Sequence, residues 1–149
     1  VAIRKKFTVT GLAGGLASLL GLSAPASAQQ KMLVLLSAGD AESQAFMLVL
    51  AIQAKAQGGD VSMVLCSSAG DLALKSPPAT ATKIITPNGM SPRTLLEALV
   101  EKGGRVSVCA IYLPNRRLTV EALMPGVGAA KPQEVAAQML DPTVKLVGQ

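Results

Sequence analysis

The sequence predicts an α/β domain on an open, mainly parallel five-stranded sheet with helices on both faces. An unbroken apolar run at residues 32–36 has the composition of a strand covered on both sides, and residues 61–66, apolar but for Ser62, form a second apolar strand. Helical repeats alternate with these runs, and the two long ones end on glycine pairs, Gly58-Gly59 and Gly103-Gly104. Strands joined in sequence through helices pair as parallel neighbours by right-handed crossovers.

Lys31 and Ser37 bound the first strand. Asp40 is placed to cap a helix whose sheet-facing stripe is Ala45, Leu48, Val49, Ile52 and Ala56. That stripe is enough to cover a sheet, yet Phe46, Met47, Leu50, Ala51 and Ala54 make the other sides apolar too. Phe46, Met47 and Leu50 are therefore expected to form a patch buried between copies, so the chain is expected to be a homo-oligomer. Residues 61–66 form the second strand and 72–75 a helical turn. Residues 76–88, with Pro77, Pro78 and Pro87, are irregular, and Asn88-Gly89 reads as a turn. Pro92 opens a helix through Leu95, Leu96, Leu99 and Val100, and residues 106–112 follow as a third strand with Cys109 in its middle or near its end. Shorter signals complete the pattern: a turn at 120–124, a vestigial strand at Val127, a Pro-started helix at 132–140 and a last strand at 144–147.

The first 28 residues read as a secretory signal peptide. Arg4, Lys5 and Lys6 precede an apolar core at 7–22, and Ala26-Ser27-Ala28 precede Gln29, so the mature domain is expected to span 29–149 and to be periplasmic or secreted. The glycine-rich core and the order Arg4-Lys5-Lys6-Phe7 also resemble a twin-arginine signal with one arginine replaced. The apolar run is short for a membrane span and is broken by glycines, so no membrane association is expected after cleavage. Without the three leader bases the net charge falls from +5 to +2. Only Phe46 and Tyr112 then remain as aromatics, which excludes a stacking platform or basic stripe for nucleic acid.

Histidine is absent, which removes Ser-His and Cys-His nucleophile pairs and the usual zinc sites. The two cysteines form no C-x-x-C motif, so no metal or cofactor is expected. Thiol chemistry, carboxylate chemistry or plain binding remain. Cys109 is the candidate catalytic residue. It lies where a strand runs into a loop bearing Arg116 and Arg117, whose charge would draw its pKa below the ordinary value of about 8.5. The competing readings are a buried small hydrophobe for Cys109 and a solvated loop tip for the arginines. Cys66 has no basic neighbour and is expected to be inert, so that Cys66→Ser would leave the reactivity of Cys109 unchanged.

Export also raises a Cys66–Cys109 disulfide. With strand order 2-1-3 the cysteines are two strand spacings apart, beyond bridging distance; with strands two and three adjacent, a bridge is feasible. The sequence leaves that order open. Asp40 and Glu42, two residues apart at a helix start, read as a cap and a dipole partner rather than a catalytic pair. In parallel sheets ligands sit beyond the strand C-termini, here residues 37–40, 66–70 and 109–117, and Tyr112 and Asn88 are supporting candidates near that edge.

Four segments carry a resemblance: Leu35-Leu-Ser-Ala-Gly-Asp-Ala-Glu42, Gln57-Gly-Gly-Asp-Val-Ser-Met-Val64, Leu95-Leu-Glu-Ala-Leu-Val-Glu-Lys-Gly-Gly-Arg-Val-Ser-Val-Cys109 and Leu123-Met-Pro-Gly-Val127. Over residues 31–149 the chain resembles the DsrE/DsrF-like family, with the TusD-type sulfur-relay subunits and YchN-like proteins. The resemblance implies a flavodoxin-like α/β/α domain that assembles into trimers or hexamers and passes persulfide sulfur between partner proteins. Cys109 falls where that family carries its sulfur-bearing cysteine, after a helix, a glycine and an apolar strand. The expected function is that of a sulfurtransferase or sulfur carrier holding a persulfide at Cys109, with a donor or acceptor protein as partner. The alternative is a non-catalytic oligomeric module of the same fold that binds a small ligand.

Overall fold

Five strands form one all-parallel sheet: β1 (Lys31–Leu36), β2 (Asp60–Leu65), β3 (Arg105–Val108), β4 (Val127–Ala129) and β5 (Val144–Gly148). Their order is β4-β3-β2-β1-β5. The chain thus steps outward from β1 to β4 and returns through one helix to the far side of β1. The computed structural model describes residues 28–148 except Thr86 and Asn88. Residues 1–27 of the expected leader, and the candidate Asn88, lie outside the described residues.

Among the described residues the helices are α1 (Ala41–Ala56), α2 (Pro92–Glu101), α3 (Tyr112–Asn115) and α4 (Pro132–Leu140). Asp40 starts α1 by accepting a hydrogen bond from the Ser43 N–H at 2.8 Å, which holds its carboxyl below the usual carboxylate range. Glu42 in the first turn and Lys55 in the last complement the helix dipole. Ser91 caps α2 through the Thr94 N–H, and Pro92 supplies its first turn. Both helices stop in the same way. Gly58 and Gly103 take positive φ, and the N–H groups of Gly59 and Gly104 bond back to the carbonyls of Ala54 and Leu99, both at 2.9 Å.

Alternation along the strands divides the sheet into two unlike faces. Val34, Leu36, Val61, Met63, Leu65, Val106 and Val108 turn to the side of α1 and α2 and pack with Leu48, Leu96, Leu99, Tyr112 and Leu113 in the main core. Burying one such leucine is worth roughly 1.5–3 kcal/mol. The opposite face, with Leu33, Leu35, Ser62 and Val64, is covered by α4, a nine-residue helix with no fully buried residue. Helices therefore stand on both faces, but one face is thickly covered and the other thinly.

Three expectations change. The buried stripe of α1 is Gln44, Ala45, Met47, Leu48 and Ala51 rather than the one centred on Val49, because α2 packs along one flank of the helix. Met47 is consequently buried, while Phe46 and Leu50 stay exposed. The third strand ends at Val108, and residues 109–112 turn through a Tyr112 N–H to Cys109 carbonyl bond of 2.9 Å, so Tyr112 opens α3 instead of ending a strand. The helical turn expected at 72–75 lies earlier, as a 3-10 segment over Ser67–Ala73.

Candidate functional site

The strand order settles the relation of the cysteines. β2 lies beside β3, with Leu65 opposite Val108, and the next residue of each strand is a cysteine. Adjacent strands run about 4.8 Å apart, which places registered residues within bridging distance. Cys66 and Cys109 form a disulfide, with a Cα–Cα distance of 5.2 Å across a sequence separation of 43. The Cys109 N–H donates to the Leu65 carbonyl at 2.8 Å and the Cys66 N–H to the Leu36 carbonyl at 2.9 Å, so both are held at the C-terminal edge of the sheet. At the opposite end of β3 the Arg105 guanidinium forks onto Asp60 at 2.7 and 3.0 Å and reaches Ser62 Oγ at 2.9 Å. This charge-assisted clamp holds the same register and keeps the Asp60 carboxyl below its usual range.

Of the two alternatives the sequence leaves open, the bridge is the one formed, so Cys109 is not a free thiol and Cys66 is its bonded partner. The physical reason is register: one adjacency places two distant cysteines side by side.

The segments that follow the two cysteines are fastened to each other as well. Asp71, in the 3-10 segment after Cys66, accepts a hydrogen bond from the Tyr112 hydroxyl at 2.8 Å and forms an ion pair with Arg116, whose Nε lies 3.2 Å from the same carboxylate oxygen. Arg116 also donates to the Ser67 carbonyl at 3.2 Å, and its guanidinium lies 4.2 Å from the centroid of the Tyr112 ring. Burial raises the Tyr112 phenol above its ordinary pKa, and the hydrogen bond to Asp71 and the charge of Asp71 raise it further; the Arg116 charge opposes them. Gly70 lies so close to the Tyr112 ring that a Cβ there would overlap it, so glycine is required by approach rather than by φ. The clasp joins the two segments through groups other than sulfur.

Cys66 and Cys109 border a cavity of about 400 Å³ between the C-terminal edge of the sheet and α4. Its floor includes Leu35 and Val64, one wall is Val135, Ala136 and Met139 of α4, and Ala110 and Ile111 form the rim. Among the described residues, no Asp, Glu, Lys or Arg lines it.

The candidate residues divide accordingly. Cys109 borders the cavity; Tyr112 and Arg116 form the clasp behind it and do not line it. Arg117 sits exposed at φ 55°, in the turn that ends α3. Sequence reasoning does not find Asp71, since a lone acid in a 3-10 segment has no periodic signal. Nor does it find α4 as a cavity wall, because an apolar helical face does not say which sheet face it covers. Among the described residues, no group of three or more His, Cys, Asp and Glu side chains is arranged to hold a metal ion.

An all-parallel α/β sheet in this order, with helices on both faces, defines a YchN-like, flavodoxin-like fold. The YchN protein from E. coli shares it at a TM-score of 0.66 and 22% identity, over 81% of this chain and 100% of that one. The protein of unknown function MTH1491 from Methanobacterium thermoautotrophicum is similar at a TM-score of 0.58 and 13% identity, over 80% of this chain and 99% of that one. No family model and no curated protein matches the sequence.

Proposed function

We propose that the chain is an exported, homo-oligomeric protein that handles sulfane sulfur, taking it up as a persulfide on Cys109 and handing it on, with Cys66 as the paired thiol. The observation that carries this reading is the Cys66–Cys109 disulfide at the C-terminal edge of a parallel sheet, bordering a cavity. A disulfide also suits the oxidising compartment to which the expected leader would deliver the protein. The resemblance to DsrE/DsrF-like proteins points to the same chemistry.

Hydrosulfide attacks Cys109 Sγ and forms a new S–S bond. The Cys66–Cys109 bond breaks, and its electron pair stays on Cys66 Sγ, which takes a proton from water. The products are a Cys109 persulfide and a Cys66 thiol. The protein disulfide is the oxidant, hydrosulfide sulfur rises to the sulfane level, and no other oxidant enters. An acceptor thiolate, free or on a partner protein, then attacks the outer sulfur and leaves with it, releasing Cys109 as thiolate. In the reverse of loading, Cys66 attacks the inner sulfur, expels hydrosulfide and restores the disulfide. Arg116 serves here as a positioning residue through the clasp, which keeps the two thiols in register when the bond is open.

Native mass spectrometry after anaerobic hydrosulfide treatment tests the reading. The expected result is an intact mass about 34 Da above the disulfide form, one hydrogen sulfide added, which resolves into about 32 Da on Cys109 relative to its thiol and one newly alkylatable thiol on Cys66. Cys109→Ser should carry no adduct. Cys66→Ser, with no disulfide to open, should stay unloaded by hydrosulfide yet load from polysulfide, which revises the expectation of unchanged Cys109 reactivity. A disulfide intact under excess hydrosulfide refutes the proposal. The second reading, a non-catalytic ligand-binding module, is favoured by the uncharged lining of the cavity and would then stand.

A further inference from the structure

The cavity beside the disulfide has an unusual pairing of properties: a disulfide in its wall and, among the described residues, no charged side chain in its lining. We propose that the thiol exchanging with Cys66–Cys109 is a small molecule with an apolar, uncharged body, held between the sheet and α4. The proposal rests on the reading that this pair is the reacting centre, and it names the chemistry of the partner that reading leaves open.

Size and lining both point that way. A cavity of about 400 Å³ lies in the range of small-molecule clefts. Leu35, Val64, Val135, Ala136 and Met139 offer apolar contact on floor and wall. A carboxylate or ammonium carried in beside the sulfur would lose hydration without gaining a partner. The nearby cations are already engaged: Lys131, between the lining residues Ala130 and Pro132, pairs with Glu134 at 2.8 Å, Arg105 is held by Asp60 and Ser62 at the other end of β3, and Arg116 by Asp71, Ser67 and the Tyr112 ring. The exchange balances as a substitution. The thiolate of the small molecule attacks Cys109 Sγ, the Cys66–Cys109 bond breaks with its electron pair on Cys66, and a mixed disulfide on Cys109 results. Against a Cys109 persulfide the same thiolate attacks the outer sulfur and departs as an apolar persulfide.

The test compares butanethiol with 3-mercaptopropanoate as reductants of the native disulfide, with rates expressed per thiolate and normalised to a small unstructured disulfide. Butanethiol should be favoured by about tenfold or more. Val135→Asp should abolish most of that preference, and Ala136→Lys should turn it toward mercaptopropanoate. α4 has no fully buried residue, so these variants should keep the wild-type melting temperature, which is measured alongside. Equal normalised rates for the two thiols in the wild type overturn the proposal, as does a preference untouched by both wall variants. A butanethiol rate that falls as protein concentration rises also overturns it, since a second copy of the chain would then be the occupant. These rates are read without hydrosulfide, so persulfide loading and apolar selection can fail independently.

Discussion

Tyr112 is the side chain on which the two segments after the cysteines converge, and it is the chain's one tyrosine in a sequence without tryptophan. Its ultraviolet titration therefore reports a single site. With burial and Asp71 both favouring the protonated phenol, the folded-state midpoint should lie above the ordinary value of about 10. Asp71→Asn should bring it down toward that value, and a wild-type midpoint at the ordinary value would contradict the clasp. The sign for stability follows from a pKa raised on folding. The contribution of Tyr112 is complete below pH of about 10 and is lost as pH rises through the folded-state pKa. Alkaline unfolding of the wild type should accordingly lose this contribution at higher pH than that of Asp71→Asn. Gly70→Ala tests the packing side of the same contact: the added methyl would displace the ring and bring the titration down as well.

At the scale of elements, the disulfide and the Arg105 clamp hold β2 against β3 at opposite ends of one short pairing. Closing a loop of this length restrains the unfolded chain by roughly 4 kcal/mol on the chain-entropy relation. Urea unfolding with and without reductant should therefore show a loss of that order, within a factor of about two. The clasp and clamp remain in the reduced protein, so it should stay folded with its far-ultraviolet spectrum unchanged. A reduced protein that unfolds outright would show that the bond is a structural staple, and would remove the dithiol state that persulfide handling requires.

For the whole molecule, we propose assembly through the outer side of α1. Phe46 is 58% exposed, Leu50 39% and, in the excursion after β2, Ile84 60%. Met47, expected in the same patch, is buried by intramolecular packing, which narrows the surface without removing it. Light scattering on the mature chain should give a mass of two or more copies, and Leu50→Lys should reduce it. A mass of one chain refutes assembly, whereas an oligomer indifferent to Leu50→Lys refutes this choice of surface. We also propose delivery by the leader at residues 1–28. N-terminal sequencing of exported protein should begin near Gln29, and a start upstream of Phe7 would refute cleavage.

Local chemistry made much of this molecule legible from its sequence. Capping by Asp40, the two glycine-pair stops, the proline starts of α2 and α4 and the strand cores depend on neighbours a few residues apart. Alternation of strand and helix then sufficed for a parallel α/β sheet, and Cys109 was identifiable as a thiol where a strand meets a loop. The fate of that thiol was not. Whether Cys66 and Cys109 meet depends on β2 lying beside β3, a choice made by packing across the whole sheet and not by either strand's own residues. The buried side of α1 was equally ambiguous, because an almost uniformly apolar helix has no stripe until α2 lies against one flank. Arg116 looked from its position like a partner for the thiol, and only the fold directs it to Asp71, a residue 45 positions earlier brought beside it by the same strand adjacency that joins the cysteines.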